Sequence, residues 1–334
     1  MTDAELSCNR KQVNLALKCW YLTGATAGGK TSVSLILAEK LGAEIVSMDS
    51  MAIYRDMDIG TAKPNRDQRN RVVHHLIDIV SPNESFSVSK YRDSALQKID
   101  ESRERGKNVL FVGGSSLYLK ALVRGLFDGP PADWKYRELL EEEADEMGDE
   151  ALMQRLKVFD PVTAHKLHVN DRRRIVRALE VLHLTGKPIS HWQMEFDYAH
   201  RAEECRVFAI RHPRPILHDR IANRVNWMYE SGLVDEVKTI LDRYQSLSQT
   251  AAQAVGYCEV IEHLDGKRTL AEAREQTLIR TRRFARHQET WFRGLSEVEF
   301  VDIVGQETAE QTADRILQTG MGRNSAGLFD NVKT

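Results

Sequence analysis

Eight residues, Gly24-Ala25-Thr26-Ala27-Gly28-Gly29-Lys30-Thr31, fit the pattern G-x-x-x-x-G-K-T. Residue types in this order can cradle a di- or triphosphate. The glycines let backbone N–H groups approach phosphate oxygens, and the start of a following helix adds a partial positive charge. Lys30 would reach the phosphate furthest into the site, and the Thr31 hydroxyl would hold Mg²⁺. The pattern names the anion class. It leaves open which molecule carries the phosphates and which bond breaks. Two other segments place polar residues directly after apolar runs: Asp49-Ser50 after residues 44–48, and Gly113-Gly114-Ser115-Ser116 after residues 108–112.

A phosphate loop needs a strand before it and a helix after it, and the flanks supply both. Apolar residues fill 15–17 and 19–22, and Val33, Ile36, Leu37 and Leu41 recur at helical spacing up to Gly42. In an open α/β sheet, ligands sit beyond the carboxyl ends of the strands. Asp49 and Ser115 therefore arrive at the same edge as the phosphate loop. Strand 109–112 does not end in Asp, as the Mg²⁺-holding strand of many phosphate-loop ATPases does, which speaks against an ATPase. Residues 51–64 (MAIYRDMDIGTAKP) are polar and aperiodic and read as a functional loop over the site. Ile53, Tyr54 and Arg55 are available there for packing, stacking and phosphate contact. His74-His75 reads as packing, ahead of a short alternating piece at 76–80.

The rest of the chain divides by pattern. Residues 1–13 form a loose leader. A helix is expected over 88–105, a break at 125–131, and helices without strands over 132–195. The strand pattern resumes at 205–210, followed by helices at 214–231 and 233–243. Thr269 with Glu272 three residues on forms a capping box that opens a long helix to about 292. An edge strand at 298–301 precedes at most one weak helix and a disordered tail. The expected fold is α/β, a P-loop NTPase-like parallel sheet core flanked by helices, with an all-helical insertion domain. Its expected parts are 14–128 (core, first part), 129–200 (insertion), 201–303 (core, second part) and 304–334 (weak helix and tail).

Composition narrows the class. The chain has 334 residues and a net charge of −2. No apolar run approaches the ~18 residues that span a bilayer, and the opening residues lack a secretory signal. Four cysteines, Cys8, Cys19, Cys205 and Cys258, stand far apart without C-x-x-C spacing, which fits a reducing cytoplasm. Charge is unevenly spread. Residues 138–150 are acidic, while Arg172, Arg173, Arg174 and Arg177 cluster, as do Arg280, Arg282, Arg283, Arg286 and Arg293. Local basic patches can bind a phosphate backbone on a protein without net positive charge. Arg173 and Arg177, four apart, share one helix face.

Taken together, these segments resemble the tRNA dimethylallyltransferases, the isopentenyl-tRNA transferases, over about residues 17–303. GATAGGKT at 24–31 is similar to that family's G-P-T-A-S/G-G-K-T. DSMAIYRDMDIGTAKP at 49–64 resembles D-S-x-Q-x-Y-R-x-x-D-I-G-T-A-K-P, and GGSSLYLKAL at 113–122 resembles G-G-T-x-L-Y-x-K-A-L. NDRRRIVRALEV at 170–181 and RTRRFARHQETWFR at 280–293 match family segments too. Ala25, Ala52, Cys258, His287 and Ser116 depart from the usual family residues, and Ser115 stands where Thr is usual.

The resemblance implies transfer of a dimethylallyl group from dimethylallyl diphosphate to N6 of adenine-37 beside the anticodon, with Mg²⁺ as cofactor, by a cytoplasmic monomer. It implies Asp49 as the base, with Lys30 and the hydroxyl of Ser115 as further catalytic groups. The loop Gly24–Thr31 with Arg283 would bind the diphosphate, and Thr31 the metal. By position, Asp49, Ser50, Met51, Ala52, Ser115, Arg137, Arg173, Arg174, Ile175, Val176, Arg177, Val255, Gly256 and Tyr257 fall at the family's tRNA contacts. The insertion would hold the anticodon stem-loop. The weaker alternatives are prenylation of free AMP or ATP, a phosphate-loop small-molecule kinase, and a degenerate RNA-binding protein.

Overall fold

The computed structural model describes residues 12–127, 129–193 and 199–323. Residues 1–11 of the expected leader and the tail beyond 323 lie outside the described residues. Six strands pair in parallel: β1 (Trp20–Gly24), β2 (Ala43–Ser47), β3 (His74–His75), β4 (Asn108–Val112), β5 (Arg206–Arg211) and β6 (Val298–Asp302). Their order is β3-β2-β4-β1-β5-β6. This is the P-loop type of open α/β sheet. The chain leaves β1, skips over β4 and lays down β2 beyond it, whereas β5 flanks β1 on the other side. A crevice forms where neighbouring connections diverge in this way, at the carboxyl end of β1.

Because both faces of the sheet are covered, its central strands are apolar on both sides. Tyr21, Val46, Met48, Phe111 and Val207 face one core, and Trp20, Leu22, Ile45, Leu110, Phe208 and Ile210 face the other. Helix α1 (Lys30–Leu41) contributes Val33, Leu37, Ala38 and Leu41 to the second core. Helices α2 (Val88–Glu104) and α3 (Ser116–Val123) contribute Tyr91, Ile99, Leu119 and Leu122 to the first.

Residues 124–198 form a compact unit of their own, separate from the one made by residues up to 123 and from 199 on. In it, α4 (Trp134–Met147), α5 (Asp149–Phe159) and α6 (Arg172–Thr185) pack Leu140, Leu152, Leu156, Ile175 and Leu179 into one core. In the sheet unit, α7 (Arg214–Glu230), α8 (Leu233–Tyr244), α9 (Tyr257–Leu264) and α10 (Leu270–Arg293) follow β5. Thr269 and Glu272 close the expected capping box at the start of α10.

Three expectations need correction. Residues 12–17 are helical, and the strand begins only at Trp20. The β-ladder at the sheet edge is His74–His75, not 76–80, because Leu76 and Asp78 both sit at φ 58°. That conformation breaks an extended run, and Asp78 is held instead by Lys63 and Arg69. The helix expected to be weak, α11 (Ala309–Met321), packs on α1 and buries Ala313 and Ile316 beside Trp20 and Leu22. Arg206 Nε donates to the Gly320 carbonyl at 3.1 Å and adds a polar tie. Among the described residues, no helix is long and apolar enough to cross a membrane.

Candidate active site

The sheet unit contains a cavity of about 470 Å³ at the carboxyl ends of β1, β2 and β4. The phosphate loop forms one wall with Thr26, Ala27, Gly28, Gly29, Lys30 and Thr31. Gly29, at φ 86°, caps α1 in the left-handed region and offers no side-chain acceptor. The first N–H groups of the helix are therefore open to an anion. Asp49 from the end of β2 and Gly113-Gly114 from the end of β4 form the facing wall. Gly113 is required there, since a Cβ on it would lie 2.0 Å from the Met48 carbonyl oxygen. Its absence lets β2 and β4 close up beneath the site. Thr61, Ala62, Lys63 and Pro64, with His74 and Ile77, complete the lining.

Lys30 Nζ donates to the carbonyls of Gly24, at 2.9 Å, and Ala25, at 2.8 Å. Burial pulls its ammonium down to about 8, and the Arg224 guanidinium adds to the effect while Asp49 opposes it. The site thus holds a desolvated cation whose charge an incoming anion would stabilise. Arg224 is also depressed by burial, with Asp49 opposing, and donates to the Thr61 carbonyl at 3.2 Å. Arg220 Nε donates to the Ala27 carbonyl at 2.7 Å. Lys30, Lys63, Arg220 and Arg224 line the cavity against the single carboxylate of Asp49. Two acids, Asp58 and Asp78, neutralise Lys63. The remaining cations give the cavity the charge balance of an anion site.

Asp49 Oδ1 accepts from the backbone N–H groups of Met51 at 2.8 Å and Ala52 at 3.4 Å. This turn fixes the carboxyl group while it still lines the cavity. Ser115 Oγ accepts from the Ser50 N–H at 2.9 Å and donates to Ser50 Oγ at 3.3 Å. Its hydroxyl braces the Asp49–Ser50 turn and is absent from the cavity lining. Ala52 lines the cavity, and Met51 packs beside Ile53 and Tyr54. Arg220 and Asn223 of α7 and Phe284 of α10 are the exposed residues at the rim of the cavity.

Other expected contacts lie elsewhere. Arg283 is exposed on α10 outside the cavity lining, and the arginines at the loop are Arg220 and Arg224. Tyr257 is fully buried, donates to Glu236 Oε1 and packs on Gly60, so its side chain does not reach an RNA. Gly256, at φ 95°, is buried with it, and Val255 is half-buried. In the helical unit, Ile175 and Val176 lie in the core, which removes their side chains from any RNA surface. Arg137 and Arg177 both pair with the fully buried Glu180. Arg173 and Arg174 are exposed. Sequence reasoning missed Arg220 and Arg224. Their four-residue spacing on the helix after a strand's carboxyl end was the available signal.

A Mg²⁺ ion fits this donor set. Thr31 offers a hydroxyl beside the loop, in the same cavity as the Asp49 carboxylate. Mg²⁺ typically keeps several waters and takes few protein ligands alongside substrate phosphates.

The profile of a family described as IPP transferase matches residues 52–295. A tRNA dimethylallyltransferase of Rhodopirellula baltica is 45% identical over 309 residues, covering 89% of this chain and 92% of the relative. One from Geobacter metallireducens is 43% identical over 90% of this chain and 95% of its own length. The tRNA isopentenylpyrophosphate transferase of Bacillus halodurans superposes with a TM-score of 0.65 at 37% identity, over 92% of this chain and 98% of that one. A eukaryotic dimethylallyltransferase acting on tRNA superposes with a TM-score of 0.74 at 25% identity, over 89% and 76%.

Proposed function

Because this chain belongs to the IPP transferase family, we propose that it transfers the dimethylallyl group of dimethylallyl diphosphate to N6 of adenine-37 in tRNA. The products are N6-isopentenyladenosine and diphosphate. The observation that carries the reading is the meeting of a cationic phosphate loop and one fixed carboxylate, Asp49, in a single cavity.

The N6 lone pair attacks C1 of the donor, the C1–O bond breaks, and its electron pair leaves with the diphosphate. Loop N–H groups, Lys30, Arg220 and Arg224 stabilise the charge that develops on the leaving group. Asp49 takes the proton lost by N6, because an exocyclic amine conjugated with the ring is a weak nucleophile. Ser115 is a positioning residue in this scheme, holding Ser50 and through it the Asp49 turn. Mg²⁺, held by Thr31 and the donor's phosphates, would neutralise part of the diphosphate charge.

A stacked adenine cannot enter a cavity of this kind, so the base is flipped out of the anticodon loop. The exposed basic residues of α10 and of α6 supply phosphate contacts to the tRNA, each on its own unit. The protein works as a monomer in the cytoplasm.

Incubation with labelled dimethylallyl diphosphate and bulk tRNA, followed by nucleoside analysis, tests the reading. Label in isopentenyladenosine from tRNA is expected. Preferential labelling of AMP in competition with an anticodon stem-loop, or γ-phosphate transfer from ATP without prenyl transfer, would replace it.

A further inference from the structure

One side chain in the cavity touches both halves of the site. Gln288, on α10, is 5% exposed and lines the cavity. Its Oε1 accepts from the Thr26 N–H of the phosphate loop at 2.9 Å, and its Nε2 donates to the Gly114 carbonyl at 2.8 Å. Gly114 precedes Ser115, whose hydroxyl holds Ser50 N–H, and Ser50 follows Asp49. A continuous chain therefore runs from the loop that would grip the diphosphate, through the amide, to the turn that carries the carboxylate.

The amide suits this place by its chemistry. It accepts on one side and donates on the other without carrying charge. A carboxylate could only accept, and an ammonium could only donate. The backbone is adapted as well: a Cβ on Gly114 would sit 2.2 Å from Gln288 Nε2. Helix α10 itself is anchored next to this point, with Ala285 buried against Ala25 and Ile221. The amide is thus fixed from its own helix and does not follow the loop passively.

We infer that Gln288 is a positioning residue that sets the distance between the leaving diphosphate and the base Asp49, making its amide a requirement of the transfer step. The inference rests on the prenyl-transfer reading of this cavity. In-line displacement depends on donor and acceptor alignment, and a misplacement of about 1 Å can cost on the order of 10²-fold in rate. Binding of the tRNA, whose proposed phosphate contacts are exposed basic residues rather than this buried amide, is not expected to share that cost.

The test compares Gln288→Met, which keeps volume and removes both hydrogen bonds, with Gln288→Glu, Gly114→Ala and the Gly114→Ala/Gln288→Met pair. Single-turnover transfer to an anticodon stem-loop is measured alongside stem-loop affinity and melting temperature. Gln288→Met should slow transfer about 10–100-fold with stem-loop affinity within about twofold of the parent. Gln288→Glu should also weaken donor binding, since it sets a negative charge beside the loop. Gly114→Ala should reproduce the Met variant, and the pair should cost no more than either alone, as coupled residues do. Gly114→Ala retains the native glutamine and answers the question even where the Met variant folds poorly. Hydrogen exchange at the Thr26 amide, faster in Gln288→Met, reports the bond independently of activity, so a failure of the prenyl-transfer reading leaves this arm standing. Unchanged transfer, a loss confined to stem-loop affinity, additive costs, or unaltered Thr26 exchange would overturn the inference.

Discussion

Lys30 and Asp49 carry opposite charges in the same cavity and, in the proposed reaction, bear on different substrates. Lys30 there serves the donor. Lys30→Ala should raise the KM for dimethylallyl diphosphate by about 10–100-fold, the scale of a hydrogen bond to a charged group, and an unchanged donor KM would remove it from the diphosphate site. Its pH behaviour follows from its free-state value of about 8. A bound diphosphate favours the ammonium and raises that value. The Lys30 contribution to donor affinity is therefore complete below pH 8 and declines above it. Calorimetry of donor or diphosphate binding from pH 6.5 to 9.5 should show a plateau and then a fall, and affinity that rises across the alkaline limb would contradict the assignment. Ser115→Ala should lower turnover less than loss of Asp49, because it loosens the Ser50 contact and removes no group from the cavity lining.

At the scale of elements, arginine roles divide according to what each guanidinium already holds. On α6, Arg177 donates to buried Glu180 and to the Pro130 carbonyl. Arg137 pairs with the same carboxylate from α4. Removing either leaves Glu180 under-paired, at a cost of about 1–3 kcal/mol. Arg177→Ala should lower the melting temperature, and any tRNA defect it shows will be mixed with that loss. Arg173 and Arg174 are exposed, and Arg174 lies 3.8 Å from Asp171. Neutralising both should reduce the slope of log affinity against log salt by roughly one to two units, if each meets one phosphate. A slope equal to the parent's would take this face of α6 out of the RNA interface. The loop at 51–64 is likewise organised by its packing partners. Glu236 on α8 accepts from the N–H groups of Asp58, Ile59 and Gly60, and Tyr257 on α9 packs over Gly60. Helices far from the chemistry in sequence thereby shape one wall of the cavity.

For the whole molecule, the parallel sheet core and the convergence of three strand ends were legible in the sequence because each rests on local signals. The glycine loop, Asp49 and Gly113–Ser115 all follow apolar runs, and strand ends share an edge in this architecture. What was not legible depended on partners distant in the chain. Periodicity could not say that Ile175, Val176 and Tyr257 pack inward, that Ser115 is spent on Ser50, or that Arg220 and Arg224 turn toward the loop. Nor could it reveal that α11 closes over α1, since few of its residues are apolar and its burial relies on Trp20 and Gly320 meeting. A similar long-range link contributes to acid stability. Glu44 on β2 accepts from Arg105, His75 and Ser102, and the Arg105 bond leads in holding its carboxyl down at about 2. A depressed carboxyl stabilises the fold above its unfolded value of about 4.5 and loses that contribution as pH falls toward 2. Glu44→Gln should flatten the dependence of stability on pH between those limits in denaturant titrations, and an unchanged slope would mean that the network is inert.

In the proposed reaction, Asp49 removes the proton from the attacking amine in the cavity where the phosphate loop holds the donor. Single-turnover prenyl transfer to an anticodon stem-loop by Asp49→Asn, with stem-loop affinity measured on the same preparation, addresses it most directly. A transfer rate lowered by about 10²–10⁴-fold is expected, with stem-loop affinity within about twofold of the parent. Transfer near the parental rate, or a loss wholly explained by weaker stem-loop binding, would contradict it.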